Sequence, residues 1–187
     1  ALWNLAVDAD NRKKIAAEGA IPPLVQLLGQ SSDAIKENAA AALTNLAVDV
    51  DNRKQILAAG AIPALVHLLR HSSDAINRNA AVILSWLSVD ADNGKTIAAA
   101  GAIPPLVQLL GHRSVVNRTN ATAALWNLVD DVDNRKTIAA AGAIPALVQQ
   151  LVLSHRSDAI ETNVTGTLWD LAMDADNRKK IAAVGAI

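Results

Sequence analysis

Hydrophobic and polar positions alternate along this chain in three recurring textures. The first is short and charged at its start: Arg12, Lys13, Lys14, Ile15 and Ala16 follow Asp10-Asn11. Asp10-Asn11 offers side-chain acceptors for the free amides of a helix start, and Gly19 ends the helix because glycine tolerates the left-handed conformation. The second texture is almost wholly apolar. Leu24, Val25, Leu27 and Leu28 predict a buried second helix over 24–28, with Pro22 in its first turn, where no amide donor is needed. Gly29, Ser31 and Ser32 then break and re-cap the chain. The third texture is long and alanine-rich and predicts a helix over about 33–48, in which Ile35, Ala39, Leu43 and Leu46 keep helical spacing.

This triplet repeats. Gly-Ala-Ile occurs at Gly19, Gly60, Gly101, Gly142 and Gly185, at spacings of 41, 41, 41 and 43 residues. Asp-Asn occurs at Asp10, Asp51, Asp92, Asp133 and Asp176 in the same register. Two markers in step over the whole length define an internal repeat. The chain divides into a third-helix stub (1–9), four full units (10–50, 51–91, 92–132, 133–175) and a first-helix stub (176–187). The two additional residues of the last full unit fall near Val152 to His155, between second and third helices.

Composition narrows the chemistry. The chain has 187 residues, 51% of them apolar, with 17 Lys+Arg against 18 Asp+Glu. That apolar fraction is too high for a disordered chain, and near-neutral charge argues against nucleic-acid binding, which needs a basic excess. There is no cysteine, which excludes disulfides and thiolate metal sites and agrees with an intracellular setting, the cytoplasm first and the nucleus as the alternative. Apolar runs such as Ala98-Ala99-Ala100-Gly101-Ala102-Ile103 are far too short for a membrane span. The chain starts without Met and reads as a piece of a longer array, or as one whose uncapped ends associate.

Three-helix units carrying Gly-Ala-Ile-Pro-x-Leu-Val-x-Leu-Leu and Ala-Leu-x-Asn-Leu resemble the armadillo repeat, and the resemblance spans the chain. Segments such as Glu37-Asn38-Ala39-Ala40-Ala41-Ala42-Leu43-Thr44-Asn45-Leu46 are most similar to the armadillo arrays of plant U-box ubiquitin ligases and their algal relatives. Importin-α and β-catenin share the unit but are more distant in pattern. The resemblance implies an all-α, right-handed superhelical solenoid whose third helices line a concave, peptide-binding groove. Each unit would bury one face only, against its neighbours.

A helical wheel then selects candidate residues. Taking the Asn of Ala-Leu-x-Asn-Leu as position zero and advancing about 100° per residue, the leucines at −2 and +1 point to the core, and positions zero, −4, −7 and +4 point away. Position zero holds Asn4, Asn45, Trp86, Asn127 and Asp170; −7 holds Asn38, Asn79, Asn120 and Asn163; −4 holds Ala41, Val82, Ala123 and Gly166. A carboxamide both donates and accepts, so it can hold the N–H and C=O of one extended residue. Packed helices lie roughly 8–10 Å apart, and two extended residues span roughly 6.6–6.8 Å. One Asn per third helix therefore meets about every second ligand residue. The resemblance implies that backbone-clamping role for Asn4, Asn45 and Asn127, whereas Trp86 and Asp170 interrupt the column. The structural alternative is that the amides merely bond neighbouring helices and loops; for the −7 column the two readings stay level.

Trp86 is the candidate apolar anchor, because Leu84 and Leu87 already fill the core-facing places and aromatic residues dominate interface energetics. Trp3, Trp126 and Trp169, at −1, are expected to pack between adjacent third helices. Importin-α carries its tryptophans at −4, which here is small, so its pocket for basic side chains is absent. Asp8, Asp49, Asp90, Asp131 and Asp174 occupy +4. Near a helix C-terminus they oppose the dipole, so they are expected to cap the next first helix or to pair with Arg12, Arg53, Arg135 and Arg178; the Arg-Lys pairs otherwise form a solvated edge.

Catalytic motifs are missing. Asp90-x-Asp92-Asn93-Gly94 begins like a calcium loop, but its twelfth position is Gly101 rather than glutamate. His67 and His71 have metal-compatible spacing yet align with glutamines and read as ordinary surface positions. The glycosylation matches at Asn117, Asn120 and Asn163 fall within third helices and read as chance. The expectation is a non-catalytic scaffold, with no metal or cofactor, binding an extended segment of a partner protein. Two alternatives are a substrate-recruiting region of a U-box ligase and a spacer that contacts others through its ends.

Overall fold

The computed structural model describes residues 2–153 and 158–185, excepting the side chains of Leu2, Trp3 and Leu153. Among the described residues all regular structure is helical. The chain forms two compact units, Ala1–Leu87 and Ser88–Ile187.

The first unit contains α1 (Leu2–Leu5), α2 (Ala9–Ala17), α3 (Ile21–Leu27), α4 (Asp33–Leu46), α5 (Val50–Ala58), α6 (Ala61–Leu68) and α7 (Asp74–Leu87). Its third helices stack, α1 on α4 and α4 on α7, while α3 and α6 pack beneath α4 and α7. Leu43, Leu46, Leu84 and Leu87 are buried at −2 and +1, together with Ala39, Ala40, Ala80 and Ala81, whose small side chains let neighbouring helices approach closely. Ile35 departs from the expected core pattern: it is 41% exposed, whereas its counterpart Ile76 is fully buried.

The second unit contains α8 (Ala91–Ala99), α9 (Ile103–Leu109), α10 (Val115–Leu128), α11 (Val132–Ala140), α12 (Ala143–Leu153), α13 (Asp158–Leu171) and α14 (Ala175–Ala183). Here α10 stacks on α13, over α9 and α12. Helix α12 has 11 residues against 7 in α9, so part of the insertion lengthens the second helix; the remainder lies outside the described residues. Where Leu27, Leu68 and Leu109 stand in the other units, α12 carries Gln150, which is 2% exposed. Its amide donates to the Leu110 carbonyl at 3.1 Å, and its oxygen lies 3.3 Å from the Thr122 hydroxyl, whose single proton is shared with the Arg118 carbonyl at 2.8 Å. Thr122 itself replaces the alanine found at Ala40 and Ala81, so the buried amide is satisfied by a matched change on α10.

The helix boundaries correct one expectation. First helices begin one residue before Asp10-Asn11, at Ala9 and its counterparts, and the capping residues are the +4 aspartates, one of the two roles expected of them. Asp8 accepts the Asn11 amide at 2.9 Å; Asp49 accepts Asp51 and Asn52, and Asp90, Asp131 and Asp174 do the same in their units. Two acceptor-bearing residues in succession leave the sequence ambiguous, and backbone conformation decides: Asp49 is extended, at φ −83° and ψ 134°. Third helices likewise end at Leu46 rather than Val48, and second helices start at Ile21, with both prolines in the first turn. The helix-ending glycines behave as expected, Gly60 lying at φ 74°.

Candidate functional site

On α4, α7, α10 and α13 the buried leucines at −2 and +1 fix the rotation of the helix, and the position between them faces away; on α1 the +1 leucine, Leu5, is 52% exposed, against the expectation that it points to the core. Trp86 is 39% exposed; Asn4 is exposed, and Asn45, Asn127 and Asp170 are half-buried. Of the −7 amides, Asn38 is exposed, Asn120 and Asn163 are half-buried, and Asn79 is only 8% exposed and so offers little surface. Ala41, Val82, Ala123 and Gly166 at −4 form a low, half-buried strip on the same helices. Within the first unit this face presents Asn4, Asn38, Asn45, Asn79 and Trp86; within the second it presents Asn120, Asn127, Asn163 and Asp170.

Individual environments differ. The Asn127 amide donates to the Ser88 hydroxyl at 3.2 Å, so part of its capacity is spent holding the preceding turn. The Trp86 ring lies under a guanidinium, Arg53 Cζ being 5.6 Å from its centroid. Trp126 behaves as the −1 tryptophans were expected to: it lies over α13, where a Cβ on Gly166 would sit 2.7 Å from its Nε1. Trp169 is 71% exposed, and the Trp3 side chain lies outside the described residues. Burial raises the Asp170 carboxyl above the ordinary carboxylate range, and repulsion from Asp130 adds to this against the opposing pull of Arg135. The capping carboxylates go the other way: the amides of Asn134 and Asn177 hold Asp131 and Asp174 below that range.

Three of the first-helix arginines, Arg12, Arg53 and Arg178, are not part of a solvated edge. Arg12 Nη1 donates to the carbonyls of Ala6 and Val7 at 3.3 and 2.7 Å. Arg53 does so to Ala47 and Val48, and Arg178 to Ala172 and Met173. Each guanidinium thus caps the end of the preceding third helix, where a cation is favoured. The lysines do remain at the surface: Lys54, Lys136 and Lys179 pair with Asp51, Asp133 and Asp176 on their own helices. His71 also departs from the surface reading. It is half-buried, its Nδ1 accepting the Ser73 amide at 3.1 Å and its Nε2 lying 3.2 Å from Asp33. That places the ring proton on Nε2 and ties the α6–α7 turn to the start of α4. Among the described residues no group of three or more His, Cys, Asp or Glu side chains could hold a metal ion, and no helix is long and apolar enough to cross a membrane.

In the second unit a cleft of about 220 Å³ opens beside Asn127, between α8, the end of α10 and the start of α11. Ser88, Val89, Gly94, Lys95, Asp130 and Asp131 contribute to its lining. Sequence reasoning missed it. The available signal was Gly94, which stands where the repeat otherwise places Arg12, Arg53, Arg135 and Arg178.

Comparison with known proteins agrees with this architecture. The family model described as the armadillo/beta-catenin-like repeat matches residues 8–48, 49–89 and 90–130, segments that begin on the capping aspartates Asp8, Asp49 and Asp90. No curated protein matches the sequence. Among solved structures, the chain is similar to computationally designed armadillo repeat proteins for modular peptide recognition, at 28% identity over 100% of this chain and 79% of that one, with a TM-score of 0.89. It is also similar to the designed armadillo repeat protein YIII(Dq)4CqI (28% identity, 99% and 79% covered, TM-score 0.85). A third, YIII(Dq.V1)4CPAF in complex with peptide (KR)4, is 25% identical with 99% and 79% covered and a TM-score of 0.83. With three consecutive units matched and the helical triplet repeated through both compact units, the chain belongs to the armadillo/beta-catenin-like repeat family.

Proposed function

We propose that this chain is a non-catalytic scaffold that holds an extended segment of a partner protein against its third helices. The supporting observation is the alternation on α4, α7, α10 and α13: leucines at −2 and +1 are buried, and the residue between them faces outward. Asn4, Asn45 and Asn127 bond the ligand backbone, Trp86 supplies an apolar anchor, and Asn38, Asn120 and Asn163 reach the ligand's flanks; Asn79 contributes least. Asp170 places a carboxylate where three other units offer an amide. Two of the similar designed proteins carry peptide recognition or a bound peptide in their descriptions, and the same use is proposed here. The substrate-recruiting role in a U-box ligase is a narrower form of this function and draws no support from the similar structures.

The test is selection of binders from a displayed library of random decapeptides, followed by titration of a selected peptide against wild type and Asn45→Ala/Asn127→Ala. A loss of affinity of about tenfold or more with a melting temperature within a few degrees of wild type is expected. Unchanged affinity overturns the assignment of the amides.

A further inference from the structure

We infer that Arg53 and Trp86 together form a subsite for a carboxylate side chain of the ligand, with glutamate the best fit. The inference rests on the proposed peptide function, since Trp86 lies on the face assigned to the ligand. Arg53, on α5, is half-buried. Its Nη1 donates to the carbonyls of Ala47 and Val48 at 2.9 and 3.1 Å, and its Cζ stands 5.6 Å from the centroid of the Trp86 ring. The guanidinium is thus fixed before any ligand arrives, which lowers the ordering cost of binding. A guanidinium carries five N–H donors. Among the described residues only Nη1 of Arg53 is engaged, which leaves Nε and Nη2 to donate. No described carboxylate lies within 4.0 Å of this cation. Asp49, one turn earlier, spends its Oδ1 on the amides of Asp51 and Asn52, and Asp51 pairs with Lys54. A cation partly withdrawn from water and lacking a counter-ion is the condition that a ligand anion relieves.

The second unit offers an internal comparison. Arg135 and Asp170 stand there in the places of Arg53 and Trp86, and the pull of Arg135 acts on the Asp170 carboxyl. In that unit the chain itself supplies, at position zero, a carboxylate for the first-helix arginine. In the first unit position zero holds an indole that is 39% exposed, and the carboxylate has to come from outside. Glutamate answers both groups. Its methylenes cover the exposed part of the indole, and its carboxylate matches the planar fork of the guanidinium. A ligand lysine or arginine would instead bring a second cation to a ring that already lies under one.

The test uses the labelled full chain and short peptides blocked at both ends, so that no terminal charge enters. The probe is acetyl-Ser-Glu-Ser-Glu-Ser-amide, compared with its counterparts carrying glutamine or lysine in place of glutamate. Binding is followed at the indole N–H resonance of Trp86. The glutamate peptide is expected to shift it saturably and to bind about fivefold tighter than the glutamine peptide, or more. The lysine peptide is expected to be the weakest. Arg53→Gln is expected to abolish the preference for glutamate. That variant also loses two carbonyl bonds, so Arg12→Gln, which loses the equivalent bonds to Ala6 and Val7, is the control for stability. It is expected to lower the melting temperature by a similar amount and to keep the preference. No saturable shift with the glutamate peptide, equal affinity for the glutamine or lysine peptide, or a preference that survives Arg53→Gln overturns the inference. Loss of the preference in Arg12→Gln overturns it as well, because the effect is then one of stability. If the short peptides fail to discriminate while selected decapeptides still bind through Asn45 and Asn127, the inference falls and the peptide function stands.

Discussion

At the scale of single residues, one carboxylate per unit carries much of the local logic. Asp49 ends one helix stack and starts the next by accepting the amides of Asp51 and Asn52. Asp49→Ala is expected to cost about 1 kcal/mol in denaturant unfolding, the usual loss for an N-cap. Asp51→Ala removes only a surface pair with Lys54 and is expected to cost less than about 0.5 kcal/mol. The pH response follows from the directions of the shifts. Asp131 and Asp174 are held low, so what their ionised forms contribute to stability is complete above the unfolded carboxylate range and is lost as pH falls through the folded values. Asp170 is raised, so its ionised form opposes folding near neutrality, and that penalty fades as pH falls through its folded value. Asp170→Asn, the residue at this position in three other units, is expected to raise the melting temperature at pH 7 and to leave it unchanged near pH 3. The recurrence of these aspartates was legible in the sequence. Which of Asp8 and Asp10 caps was not, since both side chains can accept and only the extended backbone at the first of them settles it.

Whole elements were read more securely than their partnerships. Burial of leucines three apart follows from helical geometry alone, so the rotation of every third helix was visible in the sequence. Contacts across helices were not, because they join residues 28 to 40 positions apart through side-chain shape. Trp126 over Gly166 is one such contact. In Gly166→Ala a gain in helix propensity of about 1 kcal/mol opposes the displacement of the indole. The net stability change is expected to stay within about 1 kcal/mol, while the tryptophan emission shifts to longer wavelength as Trp126 is pushed into water; unchanged emission contradicts the packing. Gln150 and Thr122 are another. Thr122→Ala leaves a buried amide oxygen short of its partner, at a cost of about 1–2 kcal/mol. The double variant Thr122→Ala/Gln150→Leu, which restores the residue types of the other units, is expected to recover most of it, and simple additivity of the two single losses would deny the coupling.

For the molecule as a whole, repetition makes each unit a comparison for the next. The same triplet with arginine capping in one unit and glycine in another distinguishes what the fold requires from what one unit has given up. That is why the cleft at Gly94 is informative and why Trp86 stands out among amides. The spacing of markers disclosed the array and the face that remains after the core is satisfied; it could not disclose the cleft, which exists only once three helices meet. The central claim is that this outward face of the third helices is where a partner is held. The most direct measurement is a titration of the labelled chain with a selected decapeptide, following the side-chain NH₂ resonances of Asn45 and Asn127 and the indole resonance of Trp86. Saturable shifts of these three, with the side chains of the second-helix residues Gln26, His67 and Gln149 unmoved, are predicted. Binding that shifts the second-helix side chains and leaves the two amides and Trp86 in place would contradict the account.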